Sequence, residues 1–287
     1  MAYPHSPVFI CLPAMGVAAD YYRNFASALA CASGGSAVTL DLRGQGADLR
    51  RAQRGDQFGY REIVEVDLPA AISQWRQAFP ERPLFLVGHS LGGQLAVLAS
   101  AELQARISGL VLVAAGTAHF RAWPPGLRRR ARLTVAAIRA AAALLPWYPG
   151  QFLGFGGTQP RRLMRDWGHN ASTGQYRMEG SARDARTLRE ELARVRLPVL
   201  SISLADDPLA PAGAVDELLS LLPQARIEGQ LLARPGQVNP WRRHFTWARA
   251  PDEIASRIAI WAARQAGRRE PAMETSRGIS RNFIEAA

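Results

Sequence analysis

Apolar residues recur along this chain with two spacings, which predict strands that alternate with helices. Short, nearly continuous apolar runs are typical of strands buried on both faces, and they occupy residues 7–12, 37–42, 84–87, 107–114, 197–204 and 225–232. Apolar residues three and four positions apart indicate helices at 20–32, 60–79, 91–99, 216–222 and 252–263. This alternation predicts an α/β fold with a doubly wound, mostly parallel sheet.

The pattern changes between residues 117 and 196, which are rich in Arg, Trp, Gly and Pro and lack an alternating strand. Helical spacing at 128–145, 161–167 and 182–194 is interrupted by an irregular, glycine-rich stretch at 147–160. We therefore predict that residues 117–196 form a helical cap inserted into a core. The domain boundaries that follow are 1–116 and 197–266 for the core and 267–287 for a disordered tail.

The charge balance is strongly basic, with a formal net charge of +11 at pH 7, and every basic residue is arginine. A basic chain could bind nucleic acid or acidic lipid. The arginines are widely spread, and the densest run, at 128–132, is short and has no nucleic-acid motif beside it. We therefore attribute the charge to an arginine-biased genome, and expect no nucleic-acid partner.

Three features of the sequence favour a cytoplasmic protein. The apolar run at 8–12 is short and has no positive leader, so it is typical of a first strand rather than a signal peptide. No stretch approaches the ~20 apolar residues that cross a bilayer, so we expect no stable membrane insertion. Cys11 and Cys31 are too few for a disulfide framework and are typical of small buried hydrophobic residues.

A candidate nucleophile follows the apolar run at 84–87, where Gly88-His89-Ser90-Leu91-Gly92 fits the pattern G-x-S-x-G. A helical pattern begins directly after it. The order of strand, sharp turn and helix is the context that a nucleophile elbow needs, because the turn lifts the serine hydroxyl above the sheet edge. The flanking glycines allow strand and helix to pass closely.

A serine hydroxyl needs a base to take its proton, and the base needs a carboxylate to orient it. In elbow enzymes the acid and then the histidine follow the serine along the chain. Of five histidines, only His244 lies beyond a full core strand after the elbow, and we place it in the loop before the last helix. His89 should point away from the Ser90 hydroxyl, so we interpret it as a packing residue.

The acid should follow the strand at 199–204, where Asp206 and Asp207 are adjacent. Adjacent side chains diverge, so only one of them can readily meet His244. We choose Asp207, which begins a Pro-rich turn, and Asp206 stays the alternative. For the oxyanion, the elbow supplies the backbone N–H of Leu91, and the loop after the first strand should supply the second donor, which we assign to Met15.

These motifs resemble those of the α/β-hydrolases, and in particular a bacterial group related to serine aminopeptidase and monoacylglycerol lipase-type proteins. The family's Asp-x-Arg-Gly-x-Gly turn is present at 41–46, and its Gly-x-x-Asp acid turn matches 204–207. The family's His-Gly after strand one is Pro13-Ala14 here, and the glycine before the histidine is Arg243. The resemblance covers residues 7–116 and 197–264, and it implies the α/β-hydrolase fold.

The expected activity is therefore that of a serine hydrolase, which cleaves a carboxylic ester or thioester through an acyl-enzyme on Ser90. No metal or cofactor is needed for this chemistry. Acyl transfer and amide or peptide hydrolysis could use the same triad, and a non-catalytic binding protein could use the same scaffold. The sequence leaves the acyl group, the leaving group and the oligomeric state open.

Large aromatic residues in the predicted cap suggest how a substrate could be held. We predict that Trp123, Trp147 and Phe155 contact a small-molecule substrate with an apolar acyl chain, since ligand pockets are mostly apolar. The alternative is that these residues form a small hydrophobic centre of the cap. If these residues do contact the substrate, glycines at 150–157 would allow the cap to move as a lid.

Overall fold

A computed structural model of the chain describes residues 6–46, 52, 57–233 and 239–267. The strands are β1 (Val8–Leu12), β2 (Ser36–Thr39), β3 (Leu84–His89), β4 (Gly109–Val113), β5 (Trp147–Pro149), β6 (Thr158–Pro160), β7 (Pro198–Leu204) and β8 (Arg226–Leu232). Six of them form one parallel sheet in the order β2–β1–β3–β4–β7–β8, and the short strands β5 and β6 pair separately as an antiparallel ribbon.

Helices alternate with the strands of the large sheet and also follow one another between β4 and β7. The α-helices are α1 (Arg23–Ser33), α2 (Leu68–Ala78), α3 (Leu91–Leu103), α4 (Pro125–Leu144), α5 (Gly150–Leu153), α6 (Arg161–Thr173), α7 (Ala185–Leu192), α8 (Ala212–Leu219), α9 (Pro240–Thr246) and α10 (Asp252–Ala266). Within the described ranges, none of them combines the length and apolar character that crossing a bilayer requires.

The large sheet is covered on both faces, which explains its continuous apolar runs. Successive residues of one strand enter different hydrophobic clusters: Ile10 packs with residues of α2 and α3, whereas Phe9 packs with residues of α1 and α10. On the second face, the Phe9 and Phe85 rings lie 5.5 Å apart, and Trp261 of α10 lies 5.6 Å from Phe85. The predicted doubly wound parallel sheet is confirmed.

The predicted helix at 60–79 is helical along most of its length but has two geometries. A π-helix at Glu62–Asp67 leads directly into α2. The Leu68 N–H still donates to the Ile63 carbonyl in the π-helical pattern, and Pro69, which has no N–H to continue that pattern, lies where the π-helix changes to α2. The helical spacing of the apolar residues was therefore informative despite the proline.

Two other predictions need correction. The stretch at 147–160 is not irregular, because β5 and β6 pair with Tyr148 opposite Gln159. Both cysteines were expected to be buried, but only Cys11 is, and burial raises its pKa to about 12, whereas Cys31 is exposed. Residues 268–287 of the predicted disordered tail lie outside the described residues.

The connection between β4 and β7, residues 114–197, is attached to the preceding helices by a buried carboxylate. Asp166 of α6 accepts hydrogen bonds from the backbone N–H of Tyr60, at 2.9 Å, and of Glu179, at 3.0 Å. Burial raises the pKa of Asp166 to about 6. Arg183 adds an ion pair of 2.8 Å with Glu65. These contacts fix the β4–β7 connection, our predicted cap, against the rest of the chain.

Candidate active site

The elbow sequence forms the predicted strand, turn and helix. β3 ends at His89, α3 begins at Leu91, and Ser90 between them has φ 52° and ψ −116°. A positive φ is strained for a residue with a side chain and is held here by the packing around it. A Cβ on Gly88 would lie 2.4 Å from Gly93 Cα, and one on Gly92 would lie 2.4 Å from the Leu12 carbonyl oxygen. Glycine is therefore needed at both positions.

The structure brings Asp207 and His244 together. Asp207 lies just beyond β7, and its Oδ2 is 2.7 Å from His244 Nδ1, with both side chains buried. The other carboxylate oxygen, Oδ1, accepts hydrogen bonds from the N–H groups of Leu209, at 2.9 Å, and Ala210, at 3.3 Å. The adjacent Asp206 is 85% exposed and lies 3.5 Å from Arg243. Of the two aspartates, Asp207 therefore meets the histidine.

His244 does not lie in a loop, as we predicted, but within α9. Its side chain is 1% exposed and lies against the same cavity as Ser90. No hydrogen bond joins Ser90 Oγ to His244 among the contacts of the described residues. Hydrogen bonds of this kind are often long in ligand-free enzymes and shorten only when a substrate is bound.

The cavity beside Ser90 has a volume of about 250 Å³. Leu91 and Met15, the two predicted oxyanion donors, contribute to its wall, and so do Trp123 and Phe155. Trp147 does not line it. That residue lies in β5 opposite Pro160, so its predicted contact with a substrate has no support from this geometry.

The predicted oxyanion loop is fixed by contacts on both sides of Met15. The Ala14 N–H donates to the Tyr22 hydroxyl at 3.0 Å, and the Val17 N–H donates to the Ala14 carbonyl at 3.2 Å. Gly16 has φ 73°, and a Cβ there would lie 2.4 Å from the Gly156 carbonyl oxygen. The loop is therefore closely packed against the β5–β6 ribbon, while the Met15 N–H makes no backbone hydrogen bond within the described structure.

Sequence reasoning missed Tyr22 as part of this region and treated His89 as packing alone. The Tyr22 hydroxyl lies 2.7 Å from His89 Nδ1, and the His89 ring centroid lies 4.7 Å from that of His244. Burial, followed by the proximity of His244, holds the pKa of His89 well below its ordinary value. The imidazole ring of His89 is therefore neutral, and it lies beside the ring of His244. The spacing of apolar residues along the chain gives no indication of the hydrogen bond between Tyr22 and His89.

A second cavity of about 180 Å³ lies under α4. It shares part of its lining with the cavity beside Ser90, namely Ala118, Trp123, Phe155, Trp167 and Leu209. Its remaining wall comes largely from α4, including Val135 and Ile138. The two cavities are adjacent, and the second is almost entirely apolar.

The described residues contain no group of three or more His, Cys, Asp or Glu side chains placed to hold a metal ion.

The sequence profile of the alpha/beta hydrolase fold matches residues 7–230. The chain therefore belongs to the alpha/beta hydrolase fold family. Over 52 residues it is 40% identical to monoglyceride lipase of Rattus norvegicus, a match that covers 18% of this chain and 17% of the rat enzyme. This relative is thus similar over less than a fifth of its own length.

Two solved structures are similar over nearly the whole chain. One is a soluble variant of monoglyceride lipase from Saccharomyces cerevisiae in complex with a substrate analogue, with a TM-score of 0.64, 16% identity, and coverage of 91% of this chain and 87% of that one. The other comes from the metagenome-derived lipolytic enzymes LipS and LipT, with a TM-score of 0.61, 18% identity, and coverage of 91% and 94%. At these identities the likeness establishes the fold.

Proposed function

We propose that this chain is a serine hydrolase that cleaves carboxylic esters or thioesters of apolar acyl groups. The observation that carries the proposal is the buried hydrogen bond between His244 Nδ1 and Asp207 Oδ2, beside a cavity that Ser90 also lines. A buried carboxylate that orients an imidazole next to a strained serine is the arrangement that general-base activation of a hydroxyl requires.

Each residue then has one role in the reaction. The Ser90 oxygen attacks the acyl carbonyl carbon while its proton passes to His244 Nε2, and the leaving alcohol or thiol departs with that proton. A water molecule, deprotonated by His244, attacks the acyl-Ser90 ester, and His244 returns that proton to the Ser90 oxygen as the acyl–oxygen bond breaks and the carboxylic acid is released. Asp207 holds the imidazole and stabilises its charged form, and its own position is fixed by the Leu209 and Ala210 N–H groups.

The negative charge that forms on the carbonyl oxygen needs donors already in place. Leu91 is the first residue of α3, so its N–H has no partner within the helix and can point to that oxygen. The Met15 N–H is the second donor in this proposal, because the hydrogen bonds on either side of it fix the loop without using it. Both residues line the cavity beside Ser90.

His89 assists by remaining neutral. When His244 holds the serine proton it is positively charged, and a second charge on a ring 4.7 Å away would raise the energy of that state. Because its pKa is held well below the ordinary value, His89 stays neutral and this repulsion does not arise.

Because the second cavity is apolar, it favours a substrate whose acyl group is a long apolar chain. A chain that leaves the cavity beside Ser90 can continue past Trp123 and Phe155 into the cavity under α4. The names of the lipolytic relatives favour the same substrate class. Trp123 and Phe155 are the substrate contacts that we keep from the sequence prediction.

A panel of acyl esters and thioesters tests the proposal. Purified protein should hydrolyse them, with kcat/KM rising from acetyl to longer acyl groups, by up to ~0.8 kcal/mol for each added methylene that enters the cavity. Ser90→Ala should abolish turnover without changing the circular dichroism spectrum. A wild-type protein that binds acyl esters but never turns them over would instead be a binding protein on this scaffold.

A further inference from the structure

The positive charge of the chain is concentrated in one segment. Residues 103–165 contain ten arginines and no Asp or Glu, and the rest of the chain has 25 arginines against 24 acidic residues. An arginine-biased genome does not account for this distribution, because such a bias would not remove acidic residues from one segment only. The expectation that genome bias explains the charge was therefore incomplete.

Helix α4 lies in the middle of this segment and is buried along a narrow stripe. Val135, Ile138 and Ala142 are its buried residues, and the first two line the cavity under the helix. The opposite side of α4 is solvent-facing, and we call it the α4 outer face. It consists of Arg129, Leu133, Ala137, Ala140 and Leu144, spaced three to four positions apart.

The α4 outer face is apolar over its last three turns. Leu133 is 63% exposed and Leu144 is 83% exposed, and only alanines stand between them on this face. Phe152, on the short helix α5 that follows, is also 81% exposed. A soluble surface helix is expected to present polar residues to water, so large exposed apolar side chains at several positions indicate a surface that contacts something else.

The basic part of the same helix lies in its first two turns. Arg128, Arg129, Arg130 and Arg132 are exposed, and none of them forms an ion pair with a described acidic residue. Their charge is therefore not neutralised by the described part of the chain. A helix with unpaired arginines at one end and exposed leucines at the other is suited to an interface that is both anionic and apolar.

We propose that the α4 outer face docks peripherally on the surface of an anionic phospholipid bilayer. The arginines in the first two turns of α4 contact lipid phosphates, while Leu133 and Leu144 enter the boundary between headgroups and acyl chains. A second copy of this chain is a poorer occupant, because a two-fold interface through this face would bring the unneutralised arginines of both copies into a segment that has no Asp or Glu to pair with them. The other side of α4 lines the apolar cavity, so docking places that cavity next to the lipid.

Vesicle co-sedimentation of the full chain tests this proposal without using catalysis. The wild-type chain should bind vesicles of phosphatidylcholine mixed with phosphatidylglycerol, bind pure phosphatidylcholine much less, and dissociate at high ionic strength. Leu133→Ser should weaken binding about tenfold. Arg129→Gln with Arg132→Gln should weaken it about fivefold for each charge removed.

Matched variants separate this face from the rest of the surface. Ile260→Ser changes an aliphatic residue on α10 that is also 63% exposed, and Arg189→Gln with Arg194→Gln removes two exposed charges elsewhere. These controls should bind vesicles as the wild type does, and turnover of a short water-soluble ester should be unchanged in every variant.

Two results would overturn the proposal. One is equal loss of vesicle binding in the α4 variants and in their controls. The other is no vesicle binding by the wild type, together with a dimer in analytical ultracentrifugation that Leu133→Ser dissociates, which would assign this face to a second copy. Neither result bears on ester hydrolysis, so this inference and the proposed function fail independently.

Discussion

The hydroxyl of Tyr22 joins the residue before Ser90 to the loop proposed to bind the oxyanion, since it lies 2.7 Å from His89 Nδ1 and 3.0 Å from the Ala14 N–H. The Ala14 N–H can only donate to the hydroxyl oxygen, so the Tyr22 proton is available for donation to His89 Nδ1. Burial raises the pKa of Tyr22 above its ordinary value, and the hydroxyl therefore keeps that proton.

Tyr22→Phe should lower kcat and leave KM nearly unchanged, because it releases the oxyanion loop and the His89 ring without touching the substrate cavities. Two buried polar groups lose their partner, each at a cost of about 1–3 kcal/mol, so the melting temperature should also fall. Steady-state kinetics and thermal unfolding measure both effects.

Tyr60→Phe provides the control, since Tyr60 is equally buried and its hydroxyl has no hydrogen-bond partner in the described structure. Its kcat should match that of the wild type. If Tyr22→Phe also kept wild-type kcat, the hydrogen bonds of the Tyr22 hydroxyl to His89 and Ala14 would have a structural role only.

The two adjacent aspartates should differ sharply when each is changed to asparagine. Asp207→Asn removes the charge that orients His244, and kcat should fall by orders of magnitude, with ~10⁴ as the guide from serine proteases. Asp206→Asn changes an exposed side chain and should have a small effect. Single-turnover kinetics with both variants decides between them, and the reverse ranking would refute the assignment.

Filling the cavity under α4 should shorten the acyl chain that the enzyme accepts. Val135→Phe places a ring in that cavity, so kcat/KM for a decanoyl ester should fall at least about tenfold while an acetyl ester is unaffected. Leu133→Phe, on the opposite side of the same helix, is the control and should leave both esters unchanged. Equal effects on short and long esters would show that the acyl chain lies elsewhere.

The buried Asp166 carboxylate predicts a pH-dependent stability. Its pKa is raised from an ordinary 3.8 to about 6 by burial, so the folded chain holds this proton more tightly than the unfolded chain does. The stability contribution is therefore full below about pH 4 and is lost as the pH rises to about 6, a change of about 3 kcal/mol.

Urea unfolding of the wild type and of Asp166→Asn between about pH 4 and 6 tests whether the stability falls as the pH rises. The free energy of unfolding of the wild type, relative to the variant, should decrease as the pH rises and then stay constant. Asp216→Asn removes an exposed carboxylate and serves as the control. A wild-type advantage that grows with pH would mean that the hydrogen bonds to Tyr60 and Glu179 outweigh burial.

The sheet was predictable because its strands are buried on both faces, which leaves long apolar runs in the sequence. The elbow was predictable for a related reason, since the close approach of Gly88 to Gly93 admits no side chain. Asp207 could be preferred over Asp206 from the turn that follows it.

The remaining features depend on tertiary contacts that periodicity does not encode. The β5–β6 ribbon has three residues per strand, too few to show alternation. Trp147 was expected at the substrate because of its residue type, but its position was decided by pairing within that ribbon. The Tyr22–His89 hydrogen bond joins residues 67 positions apart, and Tyr22 also fits the apolar face of a helix.

Intact-protein mass spectrometry after fluorophosphonate treatment tests the central claim, that Ser90 is the nucleophile, most directly. The wild type, treated with a fluorophosphonate, should gain the mass of one phosphonyl group, and peptide mapping should locate it on Ser90. Ser90→Ala should remain unmodified with an unchanged melting temperature. Labelling that persists in Ser90→Ala, or that maps to another residue of the wild type, would contradict the account.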